Sequence, residues 1–395
     1  MTKLTRRQAR AVATAAAIPS LRAHAANPIK IGMPLALTGP LGSVGEQMRR
    51  GAELWAKTVN AKGGVIGRPI QLFISDTGGD PATCVRKAQE AVEREDCHLL
   101  FGMTLSSEAL AVVPKLAEWN AIFISSDNGD GRLTGESFVP NFFRSNISGP
   151  MGARAVSLYL REARFKKFFG LGMDYAWGRN SVGVFEAEMK RAGKEFVGSV
   201  FSPTGTKDFS PYIAKIRNSG ADALYFALAG DDLNAFLSQA KQYRLGDKLQ
   251  IMTEVVDMAT FRAVGDAAVG LIGSTRYSSA IDTPANKAFV ALWQKEYGTL
   301  PDNNEGEQWQ ACHVLQAGIE AAGSTDIDPL RAALTKVAID GVKGKVAIRE
   351  CDHQAVQSGF ILRVEKGPSG PEPKVIATFP GERTAPGCRK MTYDD

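Results

Sequence analysis

The stretch NAKGGVIGRPIQLFISDTGGDP, residues 60–81, sets two glycine clusters around a run of alternating apolar residues and places Asp76 and Asp80 in the second cluster. A phosphate cradle, a metal loop and a connector would each use such glycines, and the order of elements decides between them. A phosphate loop follows a strand and precedes a helix. Here a helical period over 46–61 comes first and the strand run beginning at Ile70 comes after. Lys62-Gly63 suits a left-handed helix end, and Gly67-Arg68-Pro69 turns the chain into the strand. A calcium loop needs oxygen ligands at alternating positions, more than two aspartates supply. Asp80 is placed instead to cap the helix that Pro81 opens. The stretch reads as a helix-to-strand connector.

Outward from it, short apolar runs alternate with helical periods, the pattern of a parallel sheet covered by helices. Strands are read at 29–35, 70–75, 98–101 and 121–125, with helices at 46–61, 82–94 and 106–119. A second series repeats the order: strands at 167–172, 196–201 and 223–227, helices at 180–192, 209–218 and 232–243. HLLFGMTLSSEALAVVPKLA and ALYFALAGDDLNAFLSQA are each a buried strand, a polar turn and an amphipathic helix. The fold class is therefore α/β, with two doubly wound parallel-sheet lobes, and 395 residues suffice for both.

The net charge of +5 would suggest a polyanion partner. However, five of the 47 basic residues, Lys3, Arg6, Arg7, Arg10 and Arg22, lie in the first 26, which hold no acid, so the remainder balances the 42 acidic residues. No nucleic-acid partner is expected. Residues 1–26 read as an export signal: a basic start, an apolar run over 11–18 and the small-residue site Ala23-His24-Ala25. Arg6-Arg7 resembles the twin-arginine signal, with ordinary secretion as the alternative route. No later segment approaches the ~20 apolar residues of a membrane span. The expected location is the periplasm.

Five cysteines, Cys84, Cys97, Cys312, Cys351 and Cys388, allow at most two disulfides. Cys84 and Cys97 fall near opposite ends of one helix, roughly 15 Å or more apart and beyond bridging. Cys351 with Cys388 stays open. No catalytic residue is assigned: a G-x-S-x-G elbow and H-E-x-x-H are absent, and His98, His313 and His353 lack a catalytic setting. FFGLGMDY fails as a dinucleotide fingerprint because Tyr175 stands at its third glycine position. Cys351-Asp352-His353 fails as a metal site because adjacent strand residues face opposite ways. No cofactor and no metal are expected.

Several stretches together resemble the periplasmic solute-binding proteins of the branched-chain amino acid type, leucine-binding-protein-like chains that serve ATP-driven importers. They are IGMPLALTGPLGSVGEQMRRGAELWAKTVNAKGGVIGRPIQLFISDTGGDP, LLFGMTLSSEALAVVPKLAEWNAIFISS, GTKDFSPYIAKIRNSGADALYF, VGDAAVGLIGSTRYSS and PANKAFVALWQKEYG. They run in order over most of 29–365. The resemblance implies a type I periplasmic binding fold, two lobes joined by a three-crossover hinge, here near Asn146, Tyr277 and Asp352. Lobe one then takes 27–146 and 278–351, and lobe two 147–277 and 352–395. It also implies a monomer, a small-molecule solute enclosed between the lobes, and a membrane permease as partner.

Ligands in such sheets bind beyond the strands' carboxyl ends. Ser106 and Ser107 stand at one such end. Ser106 matches the family's carboxylate-binding serines, while a bare helix cap is the plainer reading. Asp127 is a ligand contact or a turn residue. Asn128 and Gly129 occupy positions where amino-acid-binding relatives carry a small residue and a threonine, which leaves the ligand open. In GMDYAWGRN, Trp177 matches an aromatic that closes over the ligand, with core packing as the alternative; Tyr175 and Asp174 are weaker candidates. Glu254 matches the acid that pairs with a ligand ammonium, or is a surface acid. Ala229, Gly230 and Asp231 form a turn whose backbone lines the cleft, and Tyr277 is hinge, ligand contact or both. Branched-chain amino acids lead as ligand, with aromatic carboxylates, urea and short amides open. A ligand sensor and an exported hydrolase are the competing classes.

Overall fold

The connector at 60–81 shows how the chain builds its first layer. In the computed structural model, which describes residues 27–368 and 370–390, Gly63, Gly64 and Gly67 all have positive φ. At Gly64 a side chain would meet the Arg68 carbonyl at 2.0 Å, so only glycine fits there. The Asn60 amide clamps the turn, accepting from the Ile70 N–H at 2.7 Å and donating to the Ile70 carbonyl at 2.9 Å. Asp80 accepts from the Thr83 N–H at 2.7 Å and caps the next helix. Asp76 accepts from Gly78 N, Thr38 Oγ1 and Leu37 N, bonds that hold its carboxyl below the usual range, the Gly78 bond most of all. Both aspartates serve the backbone. The export signal read at 1–26 lies outside the described residues.

Strands β1 (Ile29–Leu35), β2 (Ile70–Asp76), β3 (Leu99–Leu100), β4 (Ile122–Ser125) and β5 (Phe142–Arg144) form an all-parallel sheet in the order β2-β1-β3-β4-β5. Helices α1 (Gly42–Asn60), α2 (Pro81–Glu95) and α3 (Ser106–Val112) cover it. Val44, Met48, Trp55 and Val59 recur at helical spacing on the buried face of α1. The helix read over 106–119 stops at Val112 and continues as a 3-10 turn through Pro114, which has no N–H to give to an α-helix.

The second layer begins with α4 (Gly149–Leu160) and alternates β6 (Lys167–Met173), α5 (Ala176–Arg191), β7 (Glu195–Ser202), α6 (Ser210–Asn218), β8 (Ala223–Ala227), α7 (Gly230–Gln242), β9 (Gln250–Thr253), α8 (Met258–Val264) and β10 (Ile272–Thr275). Helices α9 (Pro284–Tyr297), α10 (Asn303–Ala322) and α11 (Ile327–Leu334) return to the first lobe, where Gly51 of α1 lets the backbone of α10 approach at Glu305. A small sheet follows of β11 (Ala338–Gly341), β12 (Gly344–Ile348) and β13 (Ala355–Val356). Then β14 (Gly359–Gly367), β15 (Gly370–Phe379) and the short α12 (Gly381–Thr384) complete the second lobe. Its seven strands run β15-β14-β10-β9-β8-β6-β7, and β14 and β15 are antiparallel additions at one edge of an otherwise parallel sheet.

The chain passes between lobes at 145–148, after Thr275, and at 357–358. The third passage lies beyond the Asp352 expected from sequence, because β13 stays paired with β12 through Val356. Buried glutamines stitch two of the passages together: Gln310 and Gln357 both donate to the Ser145 carbonyl, at 3.0 and 2.8 Å, and Gln354 donates to that of Asn146 at 2.9 Å. Cys351 and Cys388 form a disulfide, while Cys84, Cys97 and Cys312 are buried free thiols. Asp352 is held by Arg349 and the His353 ring by the Phe142 carbonyl. No helix among the described residues is long and apolar enough to cross a membrane.

Candidate functional site

The carboxyl ends of both parallel sheets face one cleft, which encloses ≈ 680 Å³ of non-atom space, part of it open to solvent. Thr104, Ser106, Asp127 and Gly129 reach its wall from the loops after β3 and β4, Gln47 from α1, and Asn303 and Asn304 from the start of α10. The second lobe adds Tyr175 and Trp177 after β6, Ala229, Gly230 and Asn234 after β8, Asp257 and Thr260 after β9, and Arg276 after β10.

Ser106 is 2 % exposed, and its Oγ accepts from the N–H groups of Gly129 and Asp130 at 3.1 and 3.2 Å. Both lone pairs are thereby used, so its hydroxyl proton is what remains to offer. The neighbouring Thr104 Oγ1 accepts a single bond, from Ala36 N at 3.0 Å. Ser107, by contrast, is not brought to the wall.

Among the described residues Arg276 is the one basic side chain lining this cleft. It pairs with Asp127 through Nη1 at 2.5 Å, also holds the Asp127 carbonyl, and lies 5.8 Å from the centre of the Trp177 ring. Burial alone would lower the Arg276 guanidinium, but Asp127, Glu254 and Glu307 together hold it above its ordinary value. Burial raises the Asp127 carboxyl against the pull of Arg276. Gly129 is fitted to this packing, since a Cβ there would stand 2.5 Å from Trp177 Cδ1 and 2.7 Å from Arg276 Nη2. The missing threonine of the sequence reading thus has a steric reason: Trp177 and Arg276 occupy its space.

Trp177 is 3 % exposed and lines the cleft, with Tyr175 tilted against it at 6.0 Å between centroids. Its Nε1 donates to Glu254 Oε1 at 2.8 Å. Glu254 stands behind this layer, 2 % exposed and off the wall; it also accepts from Tyr225 OH at 3.3 Å and lies 3.8 Å from Arg276 Nη2. Its carboxyl is raised by burial. Glu254 is therefore no surface acid, and its Oε1 is engaged by Trp177 Nε1.

The remaining sequence candidates divide. Gly230 lines the cleft at φ +58, whereas the Asp231 side chain points outward to Lys207 at 3.2 Å. Asn128 is off the wall, its side chain donating to the Met103 carbonyl at 2.6 Å and accepting from Ser125 Oγ at 2.9 Å. Tyr277 is core: 1 % exposed, packed on Gly306 and edge-on to Phe289. Its backbone N–H nonetheless donates to Asn303 Oδ1 at 3.0 Å. Sequence reasoning missed Arg276, Asp257, Thr104, Gln47 and Asn234. Arg276 carried one signal, a cation directly after a buried strand and beside the crossover tyrosine.

A family model described as periplasmic binding protein matches residues 28–369. The chain is 24 % identical over 369 residues to the Leu/Ile/Val-binding protein homolog 6 of Brucella suis biovar 1 (strain 1330), covering 90 % of this chain and 93 % of that one. Among solved structures, an ABC transporter substrate-binding protein from Sphaerobacter thermophilus is 29 % identical with a TM-score of 0.83, covering 90 % of this chain and 98 % of that chain. A solute-binding protein of an ABC transporter from Rhodopseudomonas palustris BisB5, in complex with 3,4-dihydroxybenzoic acid, shares the fold at 24 % identity and TM-score 0.84, with the same coverage of 90 % and 98 %.

Proposed function

This chain belongs to the periplasmic binding protein family, and from that membership we propose that it is the extracytoplasmic solute-binding component of an ABC importer. It captures a small carboxylate-bearing solute between its lobes and presents the closed form to a membrane permease. The observation that carries this is the pairing of walls across the cleft. Thr104 and Ser106 bring hydroxyl groups to it from one lobe, and Trp177, Tyr175 and Arg276 close it from the other. One small molecule touching both walls stabilises the closed arrangement over an open one, because only closure brings both sets of contacts to it. Micromolar affinity, about −8 kcal/mol, is within reach of a few charge-assisted hydrogen bonds and an enclosed apolar group. No bond of the solute is made or broken.

Branched-chain or related amino acids are the first solute class, in keeping with the Leu/Ile/Val-binding relative. A second reading, an aromatic carboxylate, is favoured by the Tyr175–Trp177 pair and by the withdrawal of Glu254 from the wall. A thermal-shift screen of leucine, valine, phenylalanine and benzoate tests the proposal. At about 100 times Kd a bound solute adds about 2.7 kcal/mol, enough for a clear rise in melting temperature. A screen in which no carboxylate protects the protein, or one in which a solute is converted to product, overturns it.

A further inference from the structure

A second cavity lies in the first lobe, away from the cleft, where α1, α9, α10 and β11 meet. It encloses ≈ 1340 Å³ of non-atom space, part of it open to solvent. Its walls are mostly apolar and include Trp55 of α1, Phe289 of α9 and Trp309 of α10. Phe289 and Trp309 are stacked at 4.8 Å between centroids, and His313, one turn further along α10, tilts onto Trp309 at 4.8 Å. The charged side chains at its rim, Lys62, Glu320 and Asp340, are exposed and of both signs, so the cavity favours neither kind of ion.

Two side chains of α10 bring acceptors to this wall. Gln310 is fully buried, and its Nε2 donates to the Ser145 carbonyl at 3.0 Å and to Gln357 Oε1 at 2.8 Å. The Ser145 carbonyl can only accept, so the amide cannot be turned round. Oε1 is thereby left on the other side, buried without a hydrogen-bond partner among the described residues. Gly341, also on the wall, leaves that oxygen uncovered, since a Cβ there would stand 3.0 Å from it. A buried acceptor in this state is costly until a donor reaches it. His313 lies one turn along: its Nδ1 is 2.9 Å from the Trp309 carbonyl, so Nδ1 carries the proton of the neutral ring and Nε2 keeps the lone pair. Burial lowers the ring below its ordinary value and holds it neutral.

We infer that this cavity is a second ligand site, separate from the solute cleft, and that it takes a small, flat, uncharged aromatic molecule bearing an N–H or O–H donor, its ring packed against Phe289 and Trp309 and its donor on Gln310 Oε1. The aromatic wall supplies contact area and the orphan oxygen selects the donor, the usual division between apolar lining and a few placed polar groups. The same Gln310 amide holds Ser145 and Gln357, where the chain passes between the lobes, so the occupant meets the hydrogen bonds of the hinge itself.

Calorimetric titration with indole and phenol, each set against its methylated partner, 1-methylindole and anisole, tests this. The wild-type protein should bind at least one of the two donors, with its methylated partner about fivefold or more weaker. Ala288→Trp builds a ring into the cavity from an exposed position on α9. It should melt as wild type does and lose about tenfold or more of that affinity. Gln310→Met keeps the length of the side chain without Oε1, and should bring donor and methylated partner within about twofold of each other. Should Gln310→Met fail to fold, the methylated partners and Ala288→Trp decide. Failure of both donors to bind, equal binding of the methylated partners, a donor preference kept by Gln310→Met, or undiminished binding by Ala288→Trp overturns the assignment. The residues of the solute cleft are unaltered in both variants, so its proposed role stands or falls separately.

Discussion

Asp257 and Arg276 both line the cleft, and neither announces itself in the sequence. Residue type is legible there, but the side of the sheet's end to which a loop residue turns is not. Glu254 and Asp257 are three positions apart after the same strand, yet one lies behind Trp177 and the other on the wall. Ser106, Trp177 and Gly230 were legible because strand–turn–helix order fixes them at the carboxyl edge. The state of Asp257 has a measurable consequence. Its folded carboxyl is raised to about 7 by burial and then by Asp302, with Arg262 offsetting weakly, against about 3.9 unfolded. Between those values the folded chain holds more proton than the unfolded one, so this group's contribution is full at low pH and is lost as pH rises through the window. The solute-free protein should therefore show a downward slope of melting temperature between about pH 4 and 7 from this residue. Asp257→Asn should flatten that slope, and an identical profile in the variant would contradict the coupling.

At the scale of elements, local pattern carried most of the fold. The strand read at 29–35 coincides with β1, that at 223–227 with β8, and most others agree within a residue or two at each end. What escaped included α4, β5, α8, β10, the helices α9 to α11, the β11–β13 sheet and the β14–β15 hairpin. Residues 359–379 have strand character, but the partner of β14 is β10, some 90 residues earlier, and nothing local names it. Cysteine pairing escaped for the same reason: spacing limits which thiols can meet without saying which do. The Cys351–Cys388 bond encloses the β14–β15 hairpin and brings Arg389 beside Asp352, which accepts from Arg389 N at 3.2 Å. With a separation of 37 residues, loop-closure entropy gives this bond about 3–4 kcal/mol of stability. Guanidinium unfolding of Cys388→Ser should show a midpoint reduced accordingly, and reductant should lower the wild-type midpoint while leaving the variant's in place. A wild-type midpoint indifferent to reductant would show that the bond adds no stability.

For the molecule as a whole, the lobes already touch across the lips of the cleft. Asp231 N donates to the Pro40 carbonyl at 3.2 Å, Gly131 N to Asn180 Oδ1 at 3.0 Å, and Met258 N to Asp302 at 2.7 Å, each bond joining one lobe to the other. Gly230 makes the first of these possible. It sits at φ +58, and a Cβ on it would stand 2.5 Å from the Pro40 carbonyl oxygen, which is backbone and cannot swing aside. Alanine at this position costs about 1–2 kcal/mol of local strain, but it places a methyl group where the opposite lobe must arrive. Folding and closure are thereby separable. Gly230→Ala should melt only a few degrees below wild type, bind solute about tenfold or more weakly, and keep an extended X-ray scattering envelope at solute concentrations that contract the wild-type protein. A variant that contracts as wild type does and binds as tightly would show that the lobes need not meet at Pro40, and that closure is not what holds the solute.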